Sequence, residues 1–197
     1  MARPERFDAA YYDRFYRDPK TRVSDAAEIR VLGRLVAAYC RHVDQPVRRV
    51  LDIGCGLGHW RAVVQREFRR AEYVGVEHSP YLCRELGWQR GSVVDWRADA
   101  PFDLVVCQGV LQYLRAADAR RAIRNLGRLC AGVLFLEVLT EEDWAENCDR
   151  AVTDGDVFLR PADWYRELLA RDFVNGGSGL FVHRRAGVAL YELEKLS

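Results

Sequence analysis

The run from Val50 to Gly58, VLDIGCGLG, constrains this chain more than any other stretch. An apolar segment leads into one carboxylate, Asp52, and Gly54, Gly56 and Gly58 follow at alternate positions. An apolar run that ends in glycines reads as a buried strand, here Arg48 to Ile53. The next segment, HWRAVVQREFRR, has helical spacing over His59 to Arg70, with Trp60, Val63, Val64 and Phe68 on one face. Glycines between such a strand and helix let backbone approach a ligand and permit positive φ. The helix then directs its amino end at whatever occupies the turn. In an open parallel sheet that place, beyond the carboxyl ends of the strands where strand order reverses, is the ligand site.

The rest of the chain continues the alternation. Tyr73 to Glu77 predicts a second strand, and Ser79-Pro80 opens a helix to Leu86 with serine as cap and proline at the first position. Trp88 to Val94 predicts a third strand and Phe102 to Cys107 a fourth, followed by a helix over Asp118 to Leu129. Val133 to Leu139 is apolar enough for the centre of a parallel sheet, and Pro161 to Arg171 predicts a helix. Gly179 to His183 and Val188 to Glu194 predict a closing antiparallel pair joined through Arg185-Ala186-Gly187. This order implies a doubly wound α/β sheet ending in a hairpin. Outside it stand an aromatic N-terminal cluster (Phe7, Tyr11, Tyr12, Phe15, Tyr16), a helix from Ser24 to about His42, and an acidic, irregular stretch from Thr140 to Arg160.

Composition excludes several functions. A chain of 197 residues, 49% hydrophobic, suits one domain with a sizeable core. Its 30 basic and 29 acidic residues leave a net charge of +1, so no strong field draws it to nucleic acid or an anionic membrane. Six cysteines form no Cys-x-x-Cys pair and no two histidines have metal-ligand spacing, so no metal site is expected. The start, MARPERFDAAYYDRFY, lacks a signal-type apolar run, no stretch is long enough to cross a bilayer, and the expectation is a cytoplasmic protein with reduced thiols.

The glycine spacing distinguishes two cofactor classes. A dinucleotide turn needs Gly-x-Gly-x-x-Gly for the pyrophosphate. Here the third glycine comes one residue early, and Asp52 stands where its charge opposes a pyrophosphate. A carboxylate there suits an ammonium or sulfonium, and Glu77, ending the second strand, offers acceptors to two ribose hydroxyls. An adenosine joined to a positively charged amino acid fits both.

VLDIGCGLG, VGVEHSP and FDLVVCQGVLQYL, in that order over the middle half of the chain, resemble the class I S-adenosylmethionine-dependent methyltransferase superfamily, of small-molecule type. The resemblance implies a Rossmann-like methyltransferase fold with a seven-stranded, mostly parallel sheet and S-adenosylmethionine as cofactor. It assigns cofactor contacts to Asp52, Gly54, Cys55, Gly56, Gly58, Glu77, His78, Ser92, Val93 and Gln108, with Tyr11 and Tyr16 closing over from the cap. Ser92 stands where the family usually has aspartate, and Asp95 is a nearby substitute. Gln112 and Tyr113 face the opening, and Trp144, Trp164 and Tyr165 frame the acceptor. Glu137 and Asp154 are the acids placed to act as general base.

Cys55 reads as an apolar filler of the loop, not a nucleophile, and His59 as a first-turn helix residue, not a base. The expected organisation is a single domain over 1–197: an N-terminal helical cap (1–45), a cofactor-binding half (46–139), a lid (140–160) and a C-terminal helix and hairpin (161–197). The expected activity is methyl transfer to a small-molecule acceptor by a monomer or homodimer, without nucleic acid or membrane as partner. The alternatives are a protein or RNA methyltransferase, a non-catalytic cofactor-binding partner subunit, and a nicotinamide oxidoreductase, against which the glycine spacing and Asp52 argue.

Overall fold

The computed structural model describes residues 6–196; positions 1–5 of the expected cap and position 197 lie outside the described residues. Strands β1 (Arg49–Ile53), β2 (Glu72–Glu77), β3 (Gln89–Arg90), β4 (Phe102–Gln108), β5 (Cys130–Glu137), β6 (Phe173–Gly177) and β7 (Leu180–His183) form one sheet in the order β3-β2-β1-β4-β5-β7-β6. The first five run parallel to one another, and β7 is antiparallel to both β5 and β6. The expected seven-stranded α/β sheet is present, with strand order reversing at β1.

Successive side chains of a strand face opposite ways, so a sheet covered on both sides needs apolar residues at nearly every position. β1, β4 and β5 meet that requirement. Leu51, Val105 and Leu134 enter the layer under α5 (Ala116–Leu129) and α7 (Ala162–Leu169). Their immediate neighbours Val50, Leu104 and Val133 enter the layer under α2 (Ala26–His42) and α3 (His59–Glu67). All six are fully buried, each contributing about 1.5–3 kcal/mol of transfer free energy. α2 starts at a capping box in which Asp25 accepts from the Ala27 and Glu28 amides and Glu28 accepts from the Asp25 amide.

The N-terminal aromatics form a short helix α1 (Ala9–Tyr12) that runs into a π-helical turn, Asp13–Arg17. The Ser79 hydroxyl caps α4 (Pro80–Leu86) by accepting from the Leu82 amide, and it donates to the Phe7 carbonyl at 2.6 Å, which fastens the N-terminal segment to the end of β2.

Three elements differ from the sequence reading. The terminal hairpin joins β6 and β7; Val188 to Glu194 forms no strand, and a 3-10 turn occupies Glu192–Glu194. Ser178 and Gly179 both have positive φ, 51° and 75°, the backbone of a two-residue hairpin turn that an Asn-Gly-Gly-Ser-Gly stretch readily adopts. Val188 and Leu190 instead cover the α2–α3 layer as irregular chain. The stretch after β5 contains a helix, α6 (Glu141–Glu146), started by a Thr140–Asp143 capping box. The third strand is only two residues long, because Gly91 ends its pairing with β2.

Candidate functional site

On one face of the sheet, polar residues replace apolar ones at the carboxyl ends of three adjacent strands. The parity runs Val50–Asp52 in β1, Leu104–Val106–Gln108 in β4 and Val133–Phe135–Glu137 in β5. Asp52 pairs in register with Val106, and Gln108 with Glu137. The Trp60 indole N–H, from α3, donates to Gln108 Oε1 at 2.8 Å. That leaves the Gln108 amide nitrogen to donate to the Glu137 carboxylate, 3.3 Å from each oxygen.

The glycine loop is tied to the end of β2. The Gly54 and Cys55 amides donate to the Val76 carbonyl. Glu77 Oε2 accepts from the Gly56 amide and Oε1 from those of His78 and Ser79, each at 2.8 Å. A carboxylate has about four acceptor sites, so Glu77 has room for one ribose hydroxyl, not two, before the Gly56 amide must give way. Gly56 has φ +51°, and a Cβ there would meet no atom within 4 Å, because the position opens into a cavity. Gly58, expected to face the cofactor, turns the other way: a Cβ would lie 2.6 Å from the Trp88 ring. Its left-handed φ of +78° serves the start of α3.

The cavity has two lobes. The larger, of about 440 Å³, is lined by Asp52, Cys55, His59, Trp60, Gln112 and Glu137 among others. The smaller, of about 200 Å³, is lined by Glu77, His78, Ser92 and Val93, with Phe7 and Tyr12 from the N-terminal segment. Gly54, Gly56, Gln108, Tyr11, Tyr16 and Tyr113 line both. The cap and the site are joined by the Tyr11 and Tyr113 hydroxyls, 2.9 Å apart.

Burial sets the charge of the larger lobe. Asp52 is buried; desolvation, with a smaller push from Glu77, raises its carboxyl to about 7 against the Tyr73 hydroxyl, which donates to it at 2.7 Å. Glu137 is also raised, by desolvation first and then by the Asp143 and Glu28 carboxylates, although it opens toward solvent. His59 is lowered by burial. The Cys55 thiol is pushed up by burial and by Asp52 and Glu77, which keeps it protonated and unreactive.

Asp154 lines the larger lobe but is engaged elsewhere. It sits 3.5 Å from the Arg6 guanidinium, which also reaches Asp156 at 3.2 Å and lies 4.9 Å over the Tyr113 ring. Asp154 thus latches the stretch after α6 to the N-terminal segment, which disfavours it as a base. The three residues expected to frame the acceptor lie outside both lobes. Trp144 packs on the turn at Gly155 beneath the Arg150 guanidinium. Trp164 and Tyr165 belong to the α5–α7 layer, where the Arg160 guanidinium lies 5.0 Å over the Trp164 ring and donates to the Tyr165 hydroxyl at 2.8 Å. Asp95 is exposed outside the cavity, and the Ser92 hydroxyl accepts from the Val94 amide. Sequence reasoning missed Trp60, Asp143 and Phe7. Trp60 was hidden because it also serves the apolar face of α3.

A family profile described as "Methyltransferase domain" matches residues 51–132, and one described as "Protein-L-isoaspartate(D-aspartate) O-methyltransferase (PCMT)" matches residues 2–89. The trans-aconitate 2-methyltransferase of Azoarcus sp. (strain BH72) is 31% identical over 141 residues, which is 61% of this chain and 55% of the relative. That of Rhodopseudomonas palustris (strain BisA53) is 25% identical over 149 residues, 64% of this chain and 57% of the relative. The chain therefore spans little more than half the length of these curated relatives. Among solved structures, an S-adenosylmethionine-dependent methyltransferase from Clostridium acetobutylicum superposes with a TM-score of 0.60 at 13% identity, covering 85% of this chain and 86% of the other. An S-adenosylmethionine-bound amino pentose methyltransferase from Micromonospora echinaspora superposes with a TM-score of 0.57 at 19% identity, covering 78% and 89%. At these identities the likeness establishes the fold. Both profiles describe methyltransferases, and they overlap on the stretch that holds the glycine loop and the acidic ends of β1 and β2: over that stretch the chain is similar to methyltransferase domains, on a fold that S-adenosylmethionine-dependent methyltransferases share.

Proposed function

We propose that this chain methylates a small-molecule acceptor, using S-adenosylmethionine as donor, within a single domain whose segment 140–160 closes the acceptor end. The observation that carries the reading is the position of Gly56, which opens into space shared by two lobes, Asp52 in one and Glu77 in the other. Asp52 and the glycine loop would hold the cationic methionine end; Glu77, His78, Ser92 and Val93 would take the ribose and base. When bound, S-adenosylmethionine supplies an activated methyl group. The protein's part is to orient the acceptor and exclude water, a part that the Tyr11, Tyr16 and Tyr113 rings, which line both lobes, would take.

The curated relatives are named for trans-aconitate, a polyanion. Among the described residues lining either lobe none is lysine or arginine, so such an acceptor would meet no counter-charge here. Among the described residues no helix is long and apolar enough to cross a membrane.

The test is calorimetric titration with S-adenosylmethionine, S-adenosylhomocysteine and, as control, NADH. Micromolar binding of the first two and none of the third is expected. Absence of binding to both sulfur compounds would remove the reading, and binding without turnover on any acceptor would point to a non-catalytic partner subunit.

A further inference from the structure

We propose that the acceptor is an amine, seated as its ammonium against Glu137 and deprotonated by that carboxylate before it is methylated. This rests on the methyltransferase reading and names its acceptor class. The larger lobe is lined by Asp52, Glu137, Asp143 and Asp154 and, among the described residues, by no lysine or arginine, although the chain has 30 of them. Three of these carboxylates have other duties. Asp52 belongs to the cofactor end, Asp143 accepts from Thr140 and Asn147 at the start of α6, and Asp154 faces Arg6. Glu137 has only the neutral Gln108 amide, on long hydrogen bonds of 3.3 Å, and no cation among the described residues.

A second observation is independent of charge. Gln112 lines the same lobe, is only 8% exposed, and its Oε1 has no hydrogen-bond partner among the described residues. Its backbone is held in place, since the Gln112 carbonyl accepts from the Phe158 amide at 2.8 Å. A buried acceptor left unmatched calls for a donor. An ammonium brings three, an alcohol one and a carboxylate none. A carboxylate without a cation and a carbonyl without a donor, in two residues lining the same lobe, ask for the same ligand group.

The step balances without a further reactant. The ammonium gives one proton to the Glu137 carboxylate, and the freed nitrogen lone pair forms the new bond to the methyl carbon. The carbon–sulfur bond breaks with its electron pair remaining on sulfur, which becomes a neutral thioether. The methylated nitrogen carries the positive charge, and Glu137, open toward solvent, releases its proton there. Desolvation and the Asp143 and Glu28 carboxylates raise the proton affinity of Glu137, in the direction a base for this transfer needs.

The test uses the full chain saturated with S-adenosylhomocysteine and titrated with matched probes: phenethylamine against 2-phenylethanol, glucosamine against glucose, and trans-aconitate. Labelled methyl transfer from S-adenosylmethionine is followed in parallel. At least one amine should bind about tenfold or more tightly than its alcohol and accept methyl, while trans-aconitate does neither. Glu137→Gln should bring the amine and its alcohol to within about twofold of each other, and Gln112→Leu should weaken the amine more than the alcohol. S-adenosylhomocysteine titration of each variant is the control for folding. Failure of every amine to outbind its alcohol, binding of trans-aconitate, or an amine preference that survives Glu137→Gln overturns the proposal. Failure of the wild-type chain to bind S-adenosylhomocysteine overturns instead the methyltransferase reading beneath it.

Discussion

The two lobes of the cavity are built on opposite plans. In the smaller one the central carboxylate, Glu77, already accepts three backbone amides, and those bonds hold the glycine loop in shape. In the larger one Glu137 has weak neutral partners and Gln112 has an unmatched carbonyl oxygen. Satisfied polar groups make a rigid, preorganised wall, whereas unsatisfied ones leave interaction free energy for a ligand to claim. The difference also follows the chain. The N-terminal segment lines both lobes, but the smaller lobe's sheet wall comes from consecutive βαβ units, while only the larger is completed by the stretch after β5.

Substitutions on each side should separate the lobes. The largest effect is expected from Gly56→Val, which puts a branched side chain at positive φ and into the shared space. Cofactor titration should show affinity lost by more than about 100-fold, or about 2.7 kcal/mol, with the circular dichroism spectrum retained; normal binding would dissolve the idea of a shared cradle. Glu77→Ala removes the acceptor of three amides and should cost about 2–4 kcal/mol of stability in denaturant unfolding, along with cofactor affinity. A loss of affinity alone would mean that the loop does not depend on that latch.

Asp52→Asn should weaken S-adenosylmethionine binding about tenfold and change its pH dependence. The folded carboxyl is raised from 3.8 to about 7, so its contribution to stability is fully present below the lower value and is lost as pH rises through the upper one. A cation favours ionised Asp52, so wild-type affinity should climb as pH rises toward 7, with a proton released on binding below that value. Calorimetry in two buffers of different ionisation heat reads the proton directly, and the variant should not show it.

Smaller effects mark residues outside the site. Tyr165→Phe removes the acceptor of the Arg160 bond and should cost about 1 kcal/mol of stability; a shift in acceptor KM would return Tyr165 to the cavity. Arg6→Ala breaks a half-exposed latch worth at most about 1 kcal/mol. It should raise acceptor KM while leaving cofactor affinity unchanged, and the reverse pattern would assign Arg6 to the smaller lobe.

Most of the smaller lobe was legible in the sequence, because a strand, a glycine turn and a helix are neighbours in the chain and their chemistry is local. Gly54, Gly56, Glu77, His78, Ser92 and Val93 all line that lobe, and Asp52 lines the larger lobe beside it. Gly58 misled because its spacing matched the other two glycines, and only the packing of Trp88 shows which way it faces. Trp144, Trp164 and Tyr165 misled for a related reason: an aromatic ring suits a pocket and a core equally well.

From residues alone came the α/β class, the strand that carries the site, the cofactor chemistry favoured by its turn, and the acids at the strand ends. These depend on hydrophobic period, backbone conformation and charge, which act over one or two elements. The tertiary structure alone decided which carboxylates are spoken for. Arg6 meets Asp154 across 148 residues, and Trp60 orients Gln108 toward Glu137 only because α3 lies over β4 and β5. Such pairings arise when separate elements pack together, and no local pattern in the chain encodes them.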